Sequence, residues 1–366
     1  MRILFAGGGT AGHINPAISV ADYMKEKNED FEALFIGTKK GLETKLVPSA
    51  GYKIKYIDIC GFDRKHLLKN VSVLYKLQKS RLDCKKILKK FKPDAVVCTG
   101  GYVSGPVLMA AHKLGIPSII HEQNVYPGLT VRGSEKYVNY VAVSFDETVS
   151  LMKNKEKCVV TGNPIRPEIL KADKETARGE LELSDKPFVL VFGGSLGAEK
   201  INNTMLGVIK KLSRTNGFTL LFGTGDRNYQ RVMSKIKEEG IELSDDIKVV
   251  PYINNMSSVM AAADVVVSRA GAITVSEICA LSKPSILIPS PNVVRNHQEQ
   301  NARELEKQSA AVVITEDILT DDLLYNKIAE LTKDKSQLLA MSKNAKKMAK
   351  INALEEIYNV VTKIIK

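Results

Sequence analysis

Arg2-Ile3-Leu4-Phe5-Ala6-Gly7-Gly8-Gly9-Thr10-Ala11-Gly12-His13 opens the chain, and Phe188-Val189-Leu190-Val191-Phe192-Gly193-Gly194-Ser195-Leu196-Gly197-Ala198 opens its second half. Each is a short apolar run of strand length that ends in a glycine turn. Outward from these two segments, apolar runs alternate with longer helix-like stretches. Ile3–Ala6, Ala33–Ile36, Lys53–Ile57, Ala95–Cys98, Ser118–His121, Tyr140–Val143 and Cys158–Val160 read as strands of the first half. Phe188–Phe192, Thr219–Phe222, Ile247–Val250, Val265–Ser268, Ser285–Ile288 and Ala311–Ile314 read as strands of the second. Strands that alternate with helices predict parallel sheets with right-handed crossovers. The expected fold class is therefore α/β, with two Rossmann-like, doubly wound domains. At 366 residues the chain exceeds one ordinary core, which agrees with two. Glycine and proline break it at Gly162-Asn163-Pro164, so the domains are expected at 1–162 and 163–345. A basic C-terminal helix, about 346–366, is expected to pack back on the first.

A hydrophobic content of 44% with 26% charged residues is that of a folded globular protein, not a disordered one. The five cysteines are odd in number, scattered and without a CxxC pair, which argues against a zinc site or a disulfide framework and for a reducing compartment. No signal peptide is visible, and no stretch of about 18 apolar residues could span a bilayer. Any membrane contact is expected to be peripheral.

The net charge of +12 is concentrated in one place. From Arg64 to Lys92 eleven basic residues face a single acid, Asp83, with leucine, valine, isoleucine and phenylalanine interleaved. Such a segment can cover a core, bind nucleic acid or lie on an anionic membrane. Aromatic residues for base stacking are sparse in it, only Tyr75 and Phe91. The 64–81 portion, with Leu67, Leu68, Val71 and Leu74, is the expected docking face; 82–92 is expected to be core on one side with solvated lysines on the other.

Gly7–His13 contains a literal GxGxxG after a strand, the signal of a dinucleotide fold. A dinucleotide site also needs an acid at the end of the second strand, and Ala33–Ile36 instead runs into Gly37-Thr38-Lys39-Lys40. A second glycine loop, Gly100–Pro106, and a third, Gly193–Ala198, also follow strands. Such loops admit an anion to backbone N–H groups and a helix N-terminus, or simply allow a tight turn. Three of them in two domains point to a cleft at the carboxyl ends of both sheets. Ser268-Arg269-Ala270-Gly271-Ala272-Ile273-Thr274-Val275-Ser276-Glu277 predicts a helix beginning near Thr274 with Glu277 in its first turn. There the carboxylate could accept two hydrogen bonds from a ribose diol or complement the helix dipole. His13 is a candidate general base at a helix start. His297-Gln298 suits sugar hydroxyls, and His121-Glu122-Gln123-Asn124 sits at a strand end, where open α/β folds bind ligands.

Taken together, GGGTAGHINPA (7–17), GGYVSGP (100–106), HEQN with PGLT (121–130), TGNPIR (161–166), GGSLGA (193–198), PYI (251–253), SRAGAITVSE (268–277) and HQEQNA (297–302) resemble the bacterial peptidoglycan N-acetylglucosaminyltransferases of the GT-B fold, across essentially the whole chain. The resemblance implies transfer of N-acetylglucosamine from UDP-N-acetylglucosamine to the 4-hydroxyl of the muramyl sugar of lipid I, giving lipid II for the cell wall. It implies that Thr10, Ala11 and Gly12 lie where donor meets acceptor and that Asn124 contacts the donor sugar. Arg166 and Ser195 would hold the diphosphate, and the backbone of Ile253 would read the uracil edge. Ala272, Ile273, Thr274, Val275, Ser276 and Glu277 would wrap the phosphates and ribose, with Glu277 on the diol; Gln298 would bind a sugar hydroxyl beside His297. Leu196, Asn296 and Val131 depart from the residues usual in relatives, and none removes an expected essential group.

With no DxD-type acidic pair near the phosphate loops, no metal and no cofactor are expected. The expected partners are the nucleotide sugar, lipid I and an anionic membrane surface, with other cell-wall or division proteins as further candidates, at the cytoplasmic face of the membrane. Two rivals remain on the residues alone. A UDP-N-acetylglucosamine 2-epimerase shares the architecture and needs no lipid acceptor. A nucleic-acid-binding protein would use the basic stretch and leave the glycine loops idle.

Overall fold

The structure is a computed structural model that describes residues 1–61, 70–194 and 197–365, with the side chains of 70–74 outside the description. It divides into two compact units, Met1–Ile165 with Lys350–Lys366, and Arg166–Ala349. The chain thus leaves the first unit at Ile165 rather than 162 and re-enters at Lys350 rather than about 346. The later exit has a physical basis: the Asn163 side chain donates to the Gln123 carbonyl at 3.0 Å, and Ile165 is buried, so 163–165 are tied to the first core.

In the first unit β1 (Arg2–Ala6), β2 (Glu32–Gly37), β3 (Lys53–Tyr56), β4 (Ala95–Cys98), β5 (Ser118–Glu122), β6 (Tyr140–Val143) and β7 (Cys158–Val160) form a seven-stranded parallel sheet in the order β3-β2-β1-β4-β5-β6-β7. In the second, β8 (Phe188–Phe192), β9 (Thr219–Gly223), β10 (Ile247–Val250), β11 (Val265–Ser268), β12 (Ser285–Leu287) and β13 (Ala311–Val313) form a six-stranded parallel sheet, β10-β9-β8-β11-β12-β13. Helices cover both faces, so the central strands are buried on both sides. That is why they read as unbroken apolar runs rather than as alternating ones. In each sheet the direction of winding reverses beside the first strand, between β1 and β4 and between β8 and β11. The loops that leave those four strands carry the three glycine motifs and the SRAGAITVSE segment, and such a switch point is where open α/β sheets bind ligands.

Helix Ala353–Ile365 buries Ile357, Val360 and Val361 with Ile14, Val20 and Met24 of helix Ala11–Lys27, so the chain terminus completes the first core. Helix Asn70–Phe91 buries Cys84, Leu88 and Phe91 on one side. On its other side Tyr75 is 72% and Leu82 63% exposed, with Lys79, Lys86, Lys89 and Lys90 also exposed. Leu82 therefore extends the exposed apolar and basic stripe beyond the 64–81 portion. Leu67 and Leu68 lie outside the described residues, as do the side chains of Val71 and Leu74.

Candidate active site

His13 is the best-defined group at the carboxyl edge of the first sheet. It lies in the first turn of helix Ala11–Lys27, whose cap residue Thr10 is extended and offers no side-chain hydrogen bond. Its Nδ1 lies 2.9 Å from the Thr99 carbonyl and 3.0 Å from Oε1 of Gln123. A carbonyl oxygen can only accept, so Nδ1 carries the proton and Nε2 is the basic nitrogen. Burial pushes the imidazole pKa below 6.5, with the bonds to Gln123 and Thr99 opposing that shift. The ring is neutral at neutral pH, as a base must be.

The glycines of the first two loops make this placement possible. Gly100 has φ +100°, and a Cβ there would come within 2.9 Å of the His13 ring. Gly101 has φ +76°, and a Cβ there would stand 2.3 Å from the Gly8 carbonyl oxygen. The second loop thus packs its bare backbone on the first loop and on the histidine. Thr99 Oγ closes the junction by donating to the His13 carbonyl at 2.6 Å.

An acid does serve the first loop, although none ends β2. Glu43, fully buried on the following helix, accepts from Gly9 N at 3.2 Å and from Thr38 N and Oγ at 2.9 and 2.8 Å. With its oxygens taken by the protein, this carboxylate braces the loop and is not placed to hold a dinucleotide ribose. Asn124 is held at the β5 edge by buried Glu122, whose Oε1 accepts from its N and Nδ2 and whose Oε2 accepts from Gly128 N. His121, expected as part of a ligand-facing cluster, is instead buried: its Nε2 donates to the Gly162 carbonyl at 2.9 Å. His112 packs edge-on to Tyr137, and His66 lies outside the described residues.

Burial holds the His121 pKa at about 4 against an ordinary 6.5, so between those values the unfolded chain binds a proton that the folded chain refuses. Stability is full above pH 6.5 and falls on acidification, by about 3 kcal/mol across that window. Denaturant titrations at pH 7 and 4.5 should give a smaller pH difference for His121→Asn than for the unsubstituted protein. An equal difference would contradict the assignment.

In the second unit the helix expected near Thr274 begins at Ala272, because Gly271 (φ −63°, ψ 139°) already serves as its cap. Glu277 is therefore in its second turn, and the dipole reading loses its basis. The carboxylate is bound by Arg166 instead, with Nε at 3.2 Å and Nη2 at 3.1 Å, both on Oε1. The Glu277 side chain is 7% exposed and that of Arg166 52%. Burial raises the Glu277 pKa, and Arg166 pulls it back down. The first turn, Ala272-Ile273-Thr274, has no side-chain cap and no acid, so its N–H groups are available to an anion; Val275 and Glu277 are buried behind it.

Ile253 follows β10 and buries its side chain over Gly223, where a Cβ would come within 2.8 Å of its Cδ1. Beyond β12, Gln298 Oε1 accepts from Ser290 N at 2.9 Å, which fixes the oxygen end of its amide on the protein. His297 is tied by Nδ1 to the Val294 carbonyl at 2.9 Å. Ser195 lies outside the described residues. Within the second unit the structure thus gathers Arg166 and Glu277 into one pair, with Ile253 on the loop after β10 and His297 and Gln298 in the first turn of helix His297–Lys307. Thr99, directly after β4, is the functional neighbour that motif reading does not single out; Gln123 is read there only as one member of the polar run that ends β5.

Two Rossmann-like units, one presenting a neutral histidine and the other an arginine–carboxylate pair on a helix with no side-chain cap, fit a nucleotide-sugar glycosyltransferase of the GT-B class. The chain matches the glycosyltransferase family 28 N-terminal domain over residues 3–143 and the family 28 C-terminal domain over residues 188–357. It belongs to glycosyltransferase family 28. It is 49% identical over 367 residues, covering 100% of this chain and 99% of the relative, to the UDP-N-acetylglucosamine--N-acetylmuramyl-(pentapeptide) pyrophosphoryl-undecaprenol N-acetylglucosamine transferase of Acetivibrio thermocellus. The crystal structure of Acinetobacter baumannii MurG superposes with a TM-score of 0.80 at 26% identity, covering 99% of both chains. A UDP-GlcNAc 2-epimerase from Neisseria meningitidis, bound to UDP-GlcNAc, reaches 0.69 at 15% identity over 99% of this chain and 100% of that one, which shows the shared fold alone.

Proposed function

We infer that this chain transfers N-acetylglucosamine from UDP-N-acetylglucosamine to the muramyl 4-hydroxyl of lipid I, with inversion, giving lipid II and UDP. The observation that carries this is the end-to-end match to an enzyme of that name, at 49% identity. The sheet edges supply side chains suited to the two halves of the reaction. The acceptor hydroxyl attacks the anomeric carbon and its proton passes to Nε2 of His13. The bond to the diphosphate breaks with its electron pair on the departing UDP. Arg166 and the uncapped N–H groups of helix Ala272–Ala280 are suited to the charge that grows there. Glu277 would take the ribose diol and Gln298 a sugar hydroxyl, with the segment around Ile253 against the uracil.

Incubation with labelled UDP-N-acetylglucosamine, with and without lipid I, tests the reading. Label should appear in lipid only when lipid I is present. Conversion of the nucleotide sugar to its manno epimer without acceptor would assign the chain to the epimerase reaction instead.

No described helix is long and apolar enough to cross a membrane. The exposed Tyr75-Lys79-Leu82-Lys86 stripe recurs at helical spacing and is suited to lie on anionic headgroups, with Lys76 partly neutralised by Asp58 at 3.1 Å. Each lysine near such a surface contributes about 1 kcal/mol. Reversing Lys79, Lys86 and Lys89 to glutamate should weaken binding to anionic vesicles by roughly two orders of magnitude. UDP affinity should be unchanged in the same protein. Vesicle binding that survives the reversal would move the docking surface elsewhere.

A further inference from the structure

His13 is oriented by a neutral chain of groups rather than by a carboxylate. Behind its Nδ1 lie the Thr99 carbonyl and the Gln123 amide oxygen. The other end of that amide, Nε2, donates to the Thr99 carbonyl at 2.9 Å and to His121 Nδ1 at 3.0 Å. His121 Nε2 in turn donates to the Gly162 carbonyl at 2.9 Å. Ser144 Oγ lies 3.3 Å from the same Nε2 and spends its own proton on the Glu122 carbonyl at 2.7 Å, so it can only accept from the ring, and one set of proton positions satisfies every member. Gly162 O requires a proton on His121 Nε2, which leaves His121 Nδ1 to accept. That acceptor requires the NH2 end of Gln123 to face it, and the oxygen end then faces His13. Gln123 and His121 are both buried, so no solvent competes for these bonds.

We propose that Gln123 is a positioning residue which, with the Thr99 carbonyl, locks His13 in its Nδ1–H form and couples it through a neutral amide to the buried His121. This rests on the reading of His13 as the base. Its consequence is chemical. A carboxylate in that place, as in a hydrolase triad, would stabilise the charged imidazole and raise its affinity for the proton. An amide only orients the ring, so the base stays neutral and ready, and it releases its proton again easily after each turnover. Among the described residues the nearby carboxylates are committed elsewhere. Glu43 is occupied by Gly9 and Thr38, and Glu122 by Asn124 and Gly128. Tyr102 lies against Gly9, and the titratable group coupled to the ring is His121, which burial keeps neutral.

The test uses the full chain labelled with ¹⁵N-histidine, whose five histidines are assigned by single replacements. In the unsubstituted protein at neutral pH, the ring nitrogen shifts should show His13 protonated on Nδ1 and His121 protonated on Nε2. In Gln123→Glu the His13 pKa should rise by a unit or more, a tenfold or greater gain in proton affinity. The acid limb of kcat/KM should move up with it while UDP affinity stays constant. Gln123→Met, similar in shape and unable to make either bond, should leave His13 in mixed tautomers and lower kcat rather than raise either KM. His13 protonated on Nε2 in the unsubstituted protein would overturn the proposal without any variant, as would a Gln123→Glu protein whose His13 pKa and acid limb stay in place. Normal turnover by His13→Ala would remove the base assignment and leave the tautomer result standing, so the two failures are separable.

Discussion

His13→Ala is expected to lower kcat by about 10²- to 10⁴-fold, the usual contribution of a positioned general base. UDP should bind the variant as it binds the unsubstituted protein, because Arg166, Glu277 and the helix at Ala272 belong to the other compact unit. An alkyl hydroxyl is a poor nucleophile at neutral pH, so the reaction depends on a neutral base as attack develops. In the proposed mechanism that base is Nε2 of His13, the ring nitrogen left over when Nδ1 is committed to the Thr99 carbonyl and Gln123. Because burial depresses the pKa, the acid limb of kcat/KM should lie below 6.5 in the unsubstituted protein and vanish in the variant's residual rate. Single-turnover measurements at saturating lipid I and donor, across pH 5 to 8, would check both. Near-normal turnover in His13→Ala would place the base elsewhere.

Glu277→Gln is expected to weaken donor binding by roughly 10- to 150-fold, the equivalent of losing about 1.5–3 kcal/mol from a hydrogen bond to a charged group. A ribose diol is best held when both carboxylate oxygens accept, and glutamine replaces one acceptor with a donor. Arg166 places both of its hydrogen bonds on Oε1 and neither reaches Oε2. The pair is half exposed on the arginine side, so it is screened and readily rearranged when a diphosphate offers Arg166 a second anion. Burial raises the pKa of this carboxyl, so donor affinity should begin to fall on acidification at a higher pH than for an ordinary glutamate. Titration calorimetry with UDP-N-acetylglucosamine on both proteins would decide it. An unchanged affinity in Glu277→Gln, with the protein folded, would take the diol away from this residue.

Both effects depend on groups that the chain delivers to the carboxyl edges of two parallel sheets. A central strand there is a contiguous apolar run bounded by glycine or polar turns, so all thirteen strands were legible and their ends shift by only a residue or so. Most of the family-level motifs were legible for the same reason, since they follow one of those strands as a loop or as the start of the next helix. Local spacing was less secure for helix starts. The capping role of Gly271 moved Glu277 out of the first turn and changed what its carboxylate does.

Composition, periodicity and ordered motifs by themselves determined the α/β class, the strand positions, the two-unit plan and the candidate residues His13 and Glu277, with Arg166 added by the family resemblance. The tertiary structure alone decided their partners. Glu43 meets Gly9 across 34 residues of chain, Gln123 meets His13 across 110, and Arg166 meets Glu277 across 111. Such bonds depend on strand order and on which loops a sheet edge brings side by side, and neither is encoded in the spacing of neighbouring residues. Apolar burial is written locally along a strand, whereas the hydrogen bonds that orient a catalytic group are made between segments that only the folded sheet brings together.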